Sequence, residues 1–142
     1  MKKGRIMALD IGTKRIGIAL SDEMQLIAQP FIVIERKKDN YVLNTIKKIV
    51  SDYQVNEIVV GIPFYSHYKI GKMAEMILDF VEKLKMFINV PIILWDESLT
   101  TIEAEKFLIE SDISRKRRKK VIDKLAAALI LDSFLKARDE KK

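Results

Sequence analysis

The sequence predicts one α/β domain with a mixed five-stranded sheet flanked by helices. Three β-type segments come first along the chain and are separated only by short turns, which is typical of an antiparallel meander. Strands and helices then alternate, which is typical of parallel strands added to the same sheet. A length of 142 residues is sufficient for one domain. We expect residues 1–138 to form it and residues 139–142 to be a charged C-terminal tail.

Five short segments rich in apolar and β-branched residues predict the strands. Gly12-Thr13-Lys14 predicts a hairpin turn between the first two strands. The segment from Pro63 to Gly71 contains several aromatic side chains and is expected to be a loop. The predicted strands are Arg5 to Asp10, Arg15 to Ser21, Phe31 to Glu35, Glu57 to Gly61 and Ile92 to Trp95.

Apolar residues that recur every three or four positions predict four helices. In the last helix, Ala126, Ala127 and Ile130 follow Asp123 at helical spacing, so Asp123 belongs to the buried stripe. Asp132 is on the opposite side of this helix and faces water. The predicted helices are Tyr41 to Tyr53, Lys72 to Met86, Thr100 to Glu110 and Lys116 to Arg138.

The composition excludes several classes of function. Cysteine is absent, which rules out disulfides, thiolate metal sites and a cysteine nucleophile. The longest uninterrupted apolar run, Leu125 to Leu131, is far shorter than the roughly 20 residues that a membrane-spanning helix needs. We therefore expect a cytoplasmic protein with no membrane partner.

The positive charge is concentrated in one place. Six consecutive basic residues equal the whole net charge of +6, which indicates a polyanionic partner such as nucleic acid. The alternative is a solvated start of the last helix. The six residues are Arg115, Lys116, Arg117, Arg118, Lys119 and Lys120.

Three carboxylates stand out as candidates for chemistry: Asp10, Glu97 and Asp123. Asp10 continues an apolar row on its strand, and Glu97 follows another apolar strand and shares a face with Trp95 if the extended geometry continues. Three converging carboxylates would repel one another unless a cation lay between them. Two Mg²⁺ or Mn²⁺ ions would suit oxygen ligands and can assist phosphodiester cleavage. Taken singly, each acid could instead cap a turn or a helix.

Four ordered segments, which together span nearly the whole chain, closely resemble the motifs of the YqgF/RuvX family. They contain all three candidate acids. The segments are Asp10 to Ala19 with Ser21-Asp22, Val59 to Pro63, Asp96 to Thr101 with Glu103-Ala104, and Arg117 to Ile130.

The resemblance implies a ribonuclease H-like fold and a metal-dependent nuclease. The family is described as maturing the 5′ end of 16S ribosomal RNA precursors, and was earlier proposed to resolve Holliday junctions. Asp10, Glu97 and Asp123 match its acidic positions. Lys14 and Arg15 match its basic pair and could hold phosphate near the metals, although Arg15 could also be a strand-edge residue.

The chain departs from the family pattern at two places. The family usually has arginine where this chain has Ser98, so one basic contact beside Glu97 is missing. The loop after Pro63 also differs. Its Tyr65 and Tyr68 could stack on unpaired bases, and His67 could assist proton transfer, or the loop could be a variable surface segment.

Several functions remain compatible with these residues. A junction resolvase should act as a two-fold homodimer, whereas an RNA-trimming nuclease can be a monomer. A non-catalytic nucleic-acid-binding module of the same fold is a further alternative. The Asp10-Ile11-Gly12-Thr13 motif also resembles actin-like kinases and ATPases, but 142 residues cannot supply their two domains.

Overall fold

A computed structural model describes residues 4–63, 68–96 and 115–140, with side chains for 4–63, 71–96 and 124–139. Its five strands form one sheet in the order β3-β2-β1-β4-β5. The first three strands pair antiparallel, and β4 and β5 are added parallel to β1, as predicted. The strands are β1 (Arg5–Ile11), β2 (Arg15–Ser21), β3 (Ala28–Glu35), β4 (Val55–Ile62) and β5 (Ile92–Asp96).

Two boundaries differ from the prediction by at least three residues. Strand β3 begins at Ala28 rather than Phe31, because its first residues pair with the end of β2. Pro30 is tolerated there because β3 is an edge strand with a register shift opposite it. The second helix already begins at Tyr68, so the predicted loop is wrong for residues 68–71.

Three helices lie within the described ranges, and the predicted helix at 100–110 lies outside them. They are α1 (Asp39–Asp52), α2 (Tyr68–Lys85) and α3 (Arg115–Glu140). Asp139 and Glu140, which we assigned to the tail, continue α3. Across these ranges, no helix is both long and apolar enough to cross a membrane.

The sheet separates two apolar cores because side chains alternate along each strand. On one face, Met7, Leu9 and Ile11 of β1 pack in a large cluster with α1 and α2. On the other, Ile6 and Ala8 pack in a smaller cluster with α3. We call this second side the α3 face. Ala127 is completely buried there, and its small side chain allows the helix to approach the sheet closely.

Candidate active site

Asp10 lies near the C-terminal end of β1, on the side of the sheet where the parallel strands β1, β4 and β5 all end. We call this side the carboxyl end of the sheet. Asp10 is half-buried, and strand alternation places it on the α3 face with Ile6 and Ala8. The strand geometry therefore places Asp10, one of the predicted metal ligands, at the carboxyl end of the sheet.

The strand register identifies the neighbours of Asp10. Leu9 is level with Val60, and one residue further along β4 Gly61 is level with Trp95 of β5. If the β1–β4 register continues by one residue, Gly61 falls between Asp10 and Trp95. Because Gly61 has no side chain, this position places no atoms between the side chains of Asp10 and Trp95. The two lie about 10 Å apart at two strand spacings.

Trp95 connects the end of β5 to α3 through two side-chain contacts. Its indole Nε1 donates a hydrogen bond to Ser133 Oγ at 3.0 Å. Its ring meets the ring of Phe134 edge-on at a centroid distance of 5.4 Å. Trp95 therefore helps to fix α3 relative to β5.

The turn after Asp10 has a tight geometry. The Gly12 amide donates to the carbonyl of Arg15 at 2.9 Å. A Cβ atom at position 12 would lie 2.8 Å from this same carbonyl oxygen, which explains the glycine. The turn places an exposed Lys14 and a half-buried Arg15 within five residues of Asp10. Both predicted phosphate contacts therefore lie at the carboxyl end of the sheet.

The Arg36 side chain supports this turn from the face of the sheet that α1 and α2 cover, and no sequence pattern predicts this role. Its guanidinium Nη1 donates to the Gly12 carbonyl at 3.0 Å and lies 2.9 Å from Met76 Sδ. It also lies over the Phe80 ring at 5.2 Å and 3.6 Å from an Asp39 carboxylate oxygen. The residue follows β3 in a charged stretch, where no sequence pattern distinguishes it from its neighbours.

Asp39 completes this brace at the start of α1. A hydrogen bond from Lys83 Nζ to Asp39 Oδ2, 2.7 Å long, and the charges of Lys83 and Arg36 hold the pKa of Asp39 below its usual value. The Gly12 turn is thus joined to the α1–α2 layer through a side chain that is only 16% exposed, Arg36.

Helix α3 runs antiparallel to β1. Near its C-terminus, Arg138 donates to Gln25 Oε1 at 2.7 Å and to the Gln25 carbonyl at 3.0 Å. Gln25 Nε2 in turn donates to the carbonyl of Gly4, which directly precedes β1. The C-terminal part of α3 therefore lies at the amino end of the sheet, where β1, β4 and β5 begin. Its N-terminal part extends toward the carboxyl end.

The described side chains include one of the three predicted metal ligands. Asp123 lies within α3, one turn before Ala127, but only its backbone is described. Glu97, Tyr65 and His67 lie outside the described residues, and Tyr68 is the first residue of α2. The basic run from 115 to 120 forms the first six residues of α3. Among the described side chains, no three acidic or histidine groups come together as a metal site.

The arrangement of sheet and helices is that of ribonuclease H-like nucleases. RuvC of Thermus thermophilus, solved in complex with a Holliday junction substrate, matches with a TM-score of 0.59 and 13% identity, and 96% of each chain is covered. The fowlpox virus resolvase, solved with Holliday junction DNA, matches with a TM-score of 0.55 and 12% identity, over 94% of this chain and 98% of the resolvase. These matches confirm the predicted fold.

Sequence comparison then defines the family. The model of the RuvX family, described as Holliday junction resolvase, matches residues 4–137, and the chain belongs to that family. A relative from Thermoanaerobacter pseudethanolicus is 47% identical over 138 residues, covering 96% of this chain and 99% of the relative. A Bacillus subtilis relative is 45% identical over 133 residues, covering 92% and 96%. Both carry the provisional name pre-16S rRNA nuclease.

Proposed function

We propose that the chain is a metal-dependent endonuclease that hydrolyses phosphodiester bonds, with Asp10, Glu97 and Asp123 as metal ligands. The observation that carries this proposal is the position of Asp10. It lies at the carboxyl end of the sheet, on the face that α3 covers. We expect the other two acids to reach the same end, because of the geometry of the elements that precede or contain them.

Matching lengths support the convergence of Asp123 with Asp10. Asp123 precedes Arg138 by fifteen residues of helix, or about 22 Å at ~1.5 Å per residue. Gly4, which is linked to Arg138 through Gln25, precedes Asp10 by six residues of extended chain, or about 20 Å. Because α3 is antiparallel to β1, these comparable distances support a position of Asp123 toward the carboxyl end of the sheet, where Asp10 lies.

Strand alternation supports the same position for Glu97. Ile93 and Trp95 of β5 lie on the α3 face, and Glu97 is two residues further along the chain. Extended geometry through this position would direct its carboxylate to the side of the sheet that carries Asp10. We propose that Glu97 supplies the third ligand.

The donor chemistry fits Mg²⁺ or Mn²⁺. Both ions prefer oxygen ligands, and a half-buried Asp10 among two further carboxylates would offer only such ligands. Bound there, a pair of these ions would supply an activated water and stabilise the leaving oxygen. The exposed Lys14 and the neighbouring Arg15 would hold the phosphate beside Asp10 and offset its charge.

We propose precursor 16S ribosomal RNA, cut at its 5′ end, as the preferred substrate. The relatives, which carry the provisional name pre-16S rRNA nuclease, support the choice of RNA. The description of the family model favours a second candidate, the Holliday junction. A resolvase needs two copies of the chain to make paired cuts, so junction cleavage would require a two-fold dimer.

The decisive experiment incubates the purified chain and Mg²⁺ or Mn²⁺ with a labelled RNA precursor and with a labelled four-way DNA junction. Metal-dependent cutting of the RNA by a monomer supports the first candidate, and paired cuts in the junction by a dimer support the second. Binding of either substrate without cutting would overturn the nuclease proposal and leave a non-catalytic module.

A matched pair of variants tests the ligand assignment on α3. Asp123→Asn should abolish cutting. Asp132→Asn on the same helix should retain it, because Asp132 is 45% exposed and pairs with Lys136 at the surface. Full activity in Asp123→Asn would remove this residue from the site.

A further inference from the structure

We propose that Lys37 and Lys38, together with Lys14, form a second phosphate-binding surface that holds the nucleic-acid backbone beside the cleavage site. We call these three residues the lysine rim. The inference rests on the proposed nuclease function and adds two residues, Lys37 and Lys38, that belong to none of the family-like motifs. Its ligand is the sugar–phosphate backbone, so it should not depend on base sequence.

Two loops form the rim, and they are hydrogen-bonded to each other. The Arg36 amide donates to the carbonyl of Lys14 at 2.8 Å, and Arg15 is level with Glu35 across the β2–β3 pair. Lys37 and Lys38 therefore emerge next to the Gly12 turn at the carboxyl end of the sheet. Strand β3 lies two strands from β1, which offsets Lys37 and Lys38 from Asp10 by about 10 Å, whereas Lys14 lies in the turn directly after β1.

This offset suits a nucleic acid that is being cut at Asp10. Phosphates on each strand of a duplex recur every ~3.4 Å of helix axis, so about 10 Å along the axis corresponds to a few nucleotides. A backbone whose scissile phosphate lies at Asp10 would therefore bring a neighbouring phosphate within reach of Lys37 and Lys38.

The rim lysines are exposed and their charge is not neutralised locally. In the part of the chain that the structure describes, none of their ammonium groups forms an ion pair. Elsewhere in the described part of the chain, Lys83, Lys85 and Lys136 each contact a carboxylate within 3.2 Å. The carboxylate of Asp39, which begins α1 next to Lys38, is already held by Lys83 and Arg36. The rim is therefore a local excess of positive charge beside the candidate site.

The backbone of the rim is fixed before any ligand binds. The Arg36 side chain joins the Gly12 carbonyl to the Phe80 ring and to Asp39. Lys38 directly precedes α1, and its carbonyl accepts the Val42 amide at 3.2 Å. Binding therefore has to order only the lysine side chains, which lowers its entropic cost.

The test measures binding without cutting. The Asp10→Asn protein is titrated into a fluorescein-labelled RNA precursor and a labelled DNA junction, and anisotropy is recorded over a series of salt concentrations. Lys37→Gln/Lys38→Gln is then introduced into this protein. Each lost phosphate contact should reduce the slope of log K against log salt by about 0.9 on duplex and ~0.7 on single strands. We expect affinity near 0.1 M salt to fall by at least about fivefold.

Lys47→Gln/Lys48→Gln is the matched control. These lysines are also an adjacent, exposed pair associated with α1, but they lie more than two turns further along the helix. The control removes the same two charges from the same Asp10→Asn protein, and we expect its affinity and salt slope to stay unchanged. An equal loss of affinity in both double variants would show an effect of net charge only, and would overturn the proposal that the lysine rim binds the backbone.

The rim and the proposed function can fail separately. If Asp10→Asn abolishes cutting but Lys37→Gln/Lys38→Gln binds both probes as the Asp10→Asn parent does, the rim is wrong and the nuclease stands. If Asp10→Asn still cuts, the proposed active site is wrong. The binding comparison then decides whether the lysines contact nucleic acid.

Discussion

The two ends of the sheet use polar side chains in opposite ways. At the amino end, Arg138, Gln25 and Gly4 are joined by hydrogen bonds, and Gln25 is only 8% exposed. At the carboxyl end, Lys14, Lys37 and Lys38 extend into solvent around Asp10. Polar groups at the first end hold secondary structure elements together. At the second end Arg36 and Asp39 do so as well, but the three lysines remain available to a ligand. Substitutions should therefore affect stability at one end and activity at the other.

The amino end is also held by the loop that joins β2 to β3. Asp22 accepts hydrogen bonds from the Leu26 and Ile27 amides at 2.7 and 2.8 Å. Burial alone would raise the pKa of Asp22, but these and two further backbone amide interactions together lower it below its usual value. Hydrogen bonds within the loop therefore stabilise its conformation. Gln25, which lies in this loop, has a left-handed backbone with φ of 60°.

The largest expected effect comes from Asp10→Asn at the carboxyl end. Loss of a residue that only hydrogen-bonds to a metal ligand already costs about 10–100-fold in metal affinity or activity, so loss of a ligand itself should reduce cleavage at least ~100-fold. The unfolding free energy without metal should stay the same or rise, because one of several like charges is removed. Cleavage rates and urea unfolding check both parts. A large loss of stability would show that Asp10 supports the fold instead.

The converse result is expected for Arg138→Met at the amino end. This change removes two hydrogen bonds from a cationic donor to Gln25 and should destabilise the chain by about 2–4 kcal/mol. Cleavage per folded molecule should be unchanged. Lys136→Met on the same helix is the control, because its side chain is 73% exposed, and it should cost less than ~1 kcal/mol. Equal losses in the two variants would contradict a special role of Arg138.

Gly12→Ala should have smaller effects, on both stability and cleavage. The added Cβ would lie 2.8 Å from the Arg15 carbonyl, so the turn must shift at a cost of about 1–3 kcal/mol. Since the turn also carries Lys14 and follows Asp10, cleavage should fall at temperatures at which the variant is fully folded. Thermal unfolding and single-turnover cleavage measure the two effects. Unaltered cleavage would mean that the turn does not position the site.

The smallest effect concerns the pH dependence of stability at the amino end. Burial raises the pKa of Glu57 above its ordinary value, and the charge of Arg138 opposes this shift. The stability linked to this raised pKa is present below the ordinary value near 4.5 and is lost as the pH rises through the folded value. Glu57→Gln should remove this loss. Urea unfolding between pH 4 and pH 7 should therefore show a larger decline in the parent than in the variant, and parallel curves would contradict the prediction.

Much of the fold could be predicted from local patterns. Strand β2 has the predicted bounds, Arg15–Ser21, because apolar residues and the Gly12 turn delimit it within the chain itself. The errors occur where tertiary pairing decides the boundary. Residues 28–30 become strand only because β2 offers partners for them, and residues 68–71 join a helix that was expected to begin at about residue 72.

The candidate site was partly predictable for the same reason. The family-like motifs identify Asp10, Glu97 and Asp123, and the described geometry places Asp10 at the expected end of the sheet. The brace at Arg36 and the hydrogen bonds of Arg138 could not be predicted. Each depends on residues at least 24 positions away in the sequence, such as Gly12 and Gln25, and no local spacing encodes that contact.

Local sequence patterns are sufficient to establish the five strands, the period of the helices, the acidic candidates and the concentration of basic residues in one run. These properties follow from alternation and helical spacing, which act over a few residues. The tertiary structure decided which of them meet. Parallel addition of β4 and β5 to β1, and the antiparallel course of α3, bring distant segments to one end of the sheet, because only packing fixes the direction in which each element runs.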